Sequence, residues 1–134
     1  IRRIRKLFSG AFEWMMAQQE YAKQNLHIED YFGRRREFSA EKAYLARNFV
    51  VQAVAATFCQ EKLIDLFNSY KDLDATVAFS VHDGYGVTFL QKLMREINKT
   101  TKAVLETESK MCPGLTIPAD LKFGGKLSHM KRLE

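Results

Sequence analysis

From Ser39 to Tyr70 the chain holds neither glycine nor proline, and this run narrows the available folds more than any other feature. Those two residues interrupt helices most strongly, so the run predicts one long helix. Ser39 stands at the N-cap position and Glu41 in the first turn. Apolar residues are spread nearly all round this helix, the pattern of an element buried on several sides. Arg47, Asn48 and Gln52 in its middle then need polar partners.

The flanking segments have their own periods. Ile4, Leu7, Phe8, Ala11, Met15 and Ala22 recur at three-and-four spacing, which predicts a helix from Ile4 to about Leu26 with one buried face. Asn25 to Phe38 loses that period and contains Gly33 before Arg34, Arg35 and Arg36, so it reads as a loop or short hairpin. Thr76, Val77, Phe79 and Val81, then Tyr85 and Val87, flank His82-Asp83-Gly84 and predict two strands with a tight turn. A further helix is expected from Thr88 to about Lys110 through Leu90, Leu93, Ile97, Val104 and Leu105, ended by Pro113-Gly114. Leu115 to Phe123 reads as a strand, and a turn of helix is expected through Leu127 and Met130 after Gly124-Gly125. The order implies an α+β fold, long helices packed on a small antiparallel sheet with a His-Asp hairpin.

The 134 residues suffice for one domain with a core, and 46% apolar with 28% charged residues is a soluble globular balance. A net charge of +5 and a pI near 9.3 make a polyanionic partner plausible. Cys59 and Cys112 stand far apart without metal-ligand spacing, so neither zinc nor a disulfide framework is indicated, and a reducing compartment fits. There is no apolar stretch of membrane-spanning length and no signal-peptide pattern. A cytoplasmic protein without a membrane partner is expected. The first residue is Ile1, which suggests a trimmed or partial polypeptide.

Two readings compete at each residue that has chemistry to offer. Asp83, at a hairpin tip, is placed to hold a divalent ion, yet Asp83-Gly84 is also a favoured type I′ turn. His82 beside it is equally open to a structural role. Asn48 and Gln52 lie four apart, so their amides share one helix face and suit minor-groove acceptors that every base pair presents; they also suit capping a loop. Arg34, Arg35 and Arg36 suit backbone phosphates or a solvated face. Arg2, Arg3, Arg5 and Lys6 oppose the helix dipole, which points to a helix beginning upstream.

Read in order, Phe32-Gly33-Arg34-Arg35-Arg36, Asn48 to Gln52 with Ala55-Ala56, and Val81-His82-Asp83 resemble the C-terminal part of family A DNA polymerases, the family of bacterial polymerase I and its phage relatives. Phe8 to Trp14 with the helix after it resembles the fingers helix, and Leu115 to Gly124 the closing palm strand. The resemblance implies one partial fingers/palm domain over 1–134, with 1–38 fingers-like and 39–134 palm-like. It implies that Asp83 binds the two catalytic magnesium ions and that His82 touches the primer terminus. Arg34, Arg35, Arg36, Arg47, Asn48, Gln52 and His82 would contact primer-template DNA. Deoxynucleoside triphosphates would be the substrates, in a bacterial or phage-infected cell, and the chemistry would be two-metal nucleotidyl transfer. Gly84 stands where the family usually has a second acidic residue, Ala53 and Thr57 replace a glycine and an aspartate, and Tyr44 replaces an arginine. The first palm aspartate, the nucleotide-binding fingers helix, the thumb and the exonuclease region have no counterpart. Catalysis would therefore need a remaining polymerase polypeptide. Two alternatives stay open: a fragment of a single-subunit RNA polymerase of phage or mitochondrial type, because an aromatic and a glycine follow His82-Asp83, and a non-catalytic basic module that binds DNA or protein.

Overall fold

The computed structural model describes residues 6–110 and 113–132. Cys112 and the basic residues Arg2, Arg3 and Arg5 lie outside the described residues, as does the expected helix start at Ile4. Among the described residues the fold is mixed α+β, with three α-helices and three small two-stranded antiparallel sheets. The elements are α1 (Ser9–Asn25), β1 (His27–Glu29), β2 (Arg35–Glu37), α2 (Ala46–Ser69), β3 (Ala75–Val81), β4 (Gly84–Phe89), α3 (Met94–Leu105), β5 (Lys122–Phe123) and β6 (Lys131–Arg132). Short 3₁₀ turns lead into α2 (Ala40–Leu45) and α3 (Gln91–Leu93), and another spans Leu127–His129. The chain divides into two compact units, with the boundary inside α2 between Ala56 and Thr57.

In the first unit the core is small: Ala22, Ile28, Phe38, Ala43 and Ala46, with Leu45, Phe49 and Val50 packed against it. α1 ends at Leu26, whose φ of 60° is left-handed while its amide donates to the Ala22 carbonyl at 3.0 Å, a helix C-cap that glycine ordinarily provides. The chain then turns straight into β1. β1 and β2 pair His27 with Glu37, Ile28 with Arg36 and Glu29 with Arg35, and the Phe38 amide extends the ladder to the Leu26 carbonyl at 2.8 Å.

The expected buried stripe of α1 does not form. Ala22 alone is buried, while Leu7 and Phe8 are mostly exposed; the helix packs on the β1 strand and the 3₁₀ turn before α2. The run after Ser39 begins as a 3₁₀ turn, with no hydrogen bond from the Ser39 side chain, and becomes α-helical only at Ala46. Its expected burial on several sides is also overturned. Val51, Ile64 and Phe67 are more than half exposed.

In the second unit the C-terminal half of α2 and the face of α3 pack on the β3–β4 ribbon. Leu66, Tyr70 and Ile97 are buried, and Val77, Tyr85, Val87, Phe89, Leu93 and Val104 close around them. α3 stops at Leu105 rather than near Lys110. The buried Lys62 ammonium donates to the carbonyls of Val104 at 3.3 Å and Thr107 at 2.6 Å, satisfying the orphan acceptors of the helix end. Leu115 to Leu121 forms no ladder. Pro118 offers no donor there, and only Lys122 and Phe123 pair, with Arg132 and Lys131.

Candidate functional site

β3 and β4 run antiparallel with Val81 opposite Gly84, which leaves His82 and Asp83 as a two-residue loop. The turn is thus His82-Asp83 and not Asp83-Gly84. Its left-handed residue is His82, with φ 54°, at the first loop position, where type II′ turns hold glycine. A histidine there stores backbone strain, a feature that clusters at functional sites. Both loop residues are exposed. The Asp83 carboxylate therefore stands at the end of a short, well-paired ribbon.

Sequence reasoning passed over Tyr85, two residues beyond the loop. Its hydroxyl donates to the Cys59 carbonyl at 2.6 Å and ties β4 to α2. Burial pushes the phenol well above its ordinary range, and Cys59 and the Asp83 carboxylate add to that. The hydroxyl stays a donor at all physiological pH. The signal for it lay in the strand period, since Tyr85, Val87 and Phe89 share one face.

An exposed carboxylate on a tight turn fits one ligand position of a divalent ion. Among the described residues, no three of His, Cys, Asp and Glu come together as a metal-holding group. Any such site would draw its other ligands from beyond them.

The β1–β2 loop is organised by one acid. Asp30 is buried; its Oδ1 accepts the amides of Phe32 at 2.8 Å and Arg34 at 2.9 Å, and its Oδ2 accepts the Arg34 Nε at 2.5 Å. Burial alone would raise this carboxyl, but those hydrogen bonds and the Arg34 charge outweigh it and hold it below the usual carboxylate range. Gly33, at φ 77°, completes the turn.

The three arginines consequently differ. Arg34 is clasped by Asp30, and its Nη2 donates to the Ala53 carbonyl of α2 at 2.8 Å. Arg35 lies 3.8 Å from Glu37 and opposite Glu29 in the ladder. Arg36 lies over the rings of Phe38 and Phe49 at 5.4 and 5.5 Å, a cation–π arrangement. Arg47 donates to the Tyr44 carbonyl at 3.1 Å. Asn48 and Gln52 are exposed on α2. The first unit thus brings Arg34 and Arg36 against the stretch of α2 that bears both amides.

Positive charge gathers at both ends of the chain, around an acidic stretch from 57 to 90. Residues 91–134 hold nine of the 21 basic residues and five of the 16 acidic ones, a local surplus of four. There a groove of about 610 Å³ opens between α3 and the C-terminal segment, its lining including Arg95, Asn98, Lys99, Lys102, Glu106, Asp120 and Arg132.

Compared with known proteins, the chain matches no family model and no curated sequence.

Proposed function

We propose that this chain is the C-terminal portion, or a split subunit, of a DNA-directed DNA polymerase of the family A type. The observation that carries this reading is the tight turn that presents His82 and Asp83, strained at His82 and exposed at Asp83. The arginine loop and the Asn48/Gln52 helix precede it in the order that the family resemblance requires.

On this reading Asp83 contributes one carboxylate to a magnesium site completed by the remaining polymerase polypeptide. When bound, magnesium would activate the primer 3′-hydroxyl and stabilise the leaving pyrophosphate. His82 would touch the primer terminus. The amides of Asn48 and Gln52 would donate to purine N3 and pyrimidine O2, acceptors common to all base pairs. Arg35 and Arg36 would face backbone phosphates, whereas Arg34 would hold the loop in shape and Arg47 would support the start of α2.

The test is primer extension with magnesium and all four deoxynucleotides, using the chain co-purified with the polypeptide that completes it. Asp83→Ala should abolish extension. Full activity in that variant would sink the proposal. Preference for ribonucleotides would assign the complex to RNA synthesis instead.

Gly84, in place of a second acidic residue, together with the basic segment 91–134 favours a second reading: a DNA-binding module that lacks the chemistry. Duplex binding that weakens with salt and ignores magnesium would support it.

A further inference from the structure

We infer that the groove between α3 and the C-terminal segment binds the sugar-phosphate backbone of a nucleic acid, held by Arg95 and Lys99. These residues lie one turn apart on α3, a separation of roughly 5–6 Å between side-chain origins, within reach of two neighbouring phosphates. Half-buried Asn98 offers an amide donor in the same lining.

The acids of the groove are committed to other groups. Glu106 accepts the Ala119 amide at 3.1 Å and lies 3.9 Å from Lys102, and Asp120 accepts from Arg132 at 2.5 Å. No ion pair among the described residues includes Arg95 or Lys99, and both are exposed. Two unneutralised cations in a concave surface, within a segment whose basic residues outnumber its acids nine to five, complement a polyanion better than a neutral or cationic partner. Contacts to phosphates carry no sequence information, so binding there is sequence-independent. It shares only the class of partner with the polymerase reading and does not involve Asp83.

The experiment is a salt titration of a fluorescently labelled duplex with the full chain, comparing Arg95→Gln/Lys99→Gln with Lys42→Gln/Lys71→Gln. Both pairs remove the same charge, and Lys42 and Lys71 are exposed outside the groove. The groove pair should lower the slope of log affinity against log salt by about two, with the control pair near the wild type. Unlabelled duplex should compete better than inorganic pyrophosphate at equal phosphate concentration. Equal losses in the two pairs, no loss in the groove pair, or equal competition by pyrophosphate would overturn the proposal. So would a wild-type chain that does not bind. Because primer extension is not read, failure of the polymerase reading leaves the outcome intact.

Discussion

The Nζ of Lys62 sits 2.6 Å from the carbonyl oxygen of Thr107, with a second bond to Val104, although the two helices that it joins are far apart in sequence. A buried ammonium thus closes the end of α3. Lys62→Met keeps the apolar stem but takes the ammonium from the Thr107 carbonyl and leaves Val104 only backbone amides such as that of Thr107, and should cost roughly 1–3 kcal/mol. Urea unfolding at constant pH would check this; a change within about 0.5 kcal/mol would show that solvent replaces the ammonium.

Asp30 makes the arginine loop sensitive to acid. Its folded pKa lies below the ordinary 3.8, so its contribution is fully present above the unfolded value and is lost as pH falls through the folded one. Asp30→Asn should be less stable than the wild type near neutrality, with the difference shrinking as pH falls through the folded value. Unfolding midpoints across that range should converge. Parallel curves would contradict the sign.

His82 pays for the turn with a left-handed backbone. His82→Gly should stabilise the second unit by about 1 kcal/mol, since glycine takes that conformation freely. If the turn serves polymerisation, the same variant should extend primers poorly. A stabilised variant with undiminished extension would leave His82 without a part in the reaction.

Gly86 lies opposite Phe79, next to a register shift between Val77 and Phe79. A Cβ at Gly86 would lie 2.3 Å from the Phe79 ring. Gly86→Ala should therefore destabilise by about 1–3 kcal/mol. Adding Phe79→Leu should recover part of the loss, and strict additivity in that double-mutant cycle would exclude the clash.

Several elements were legible because their causes are local. The β3–β4 ribbon follows from alternating β-branched and aromatic residues on either side of a short polar turn, and the Asn25–Phe38 hairpin from Gly33 and the loss of helical period. The end of α3 was not legible. Its stop depends on Lys62, which reaches it only after α2 and α3 pack together. The three adjacent arginines looked equivalent in order, yet Asp30, Glu37 and the pair Phe38 and Phe49 give each a different environment.

By itself the amino-acid order determined the alternation of helix and strand and the surplus of basic residues, because backbone preference and charge belong to each residue wherever it lies. Tertiary structure decided which apolar faces are covered, that Arg34 is clasped while Arg95 and Lys99 stay open, and that a groove forms beside α3. Burial and ion pairing depend on groups distant in sequence, and no local period carries that information.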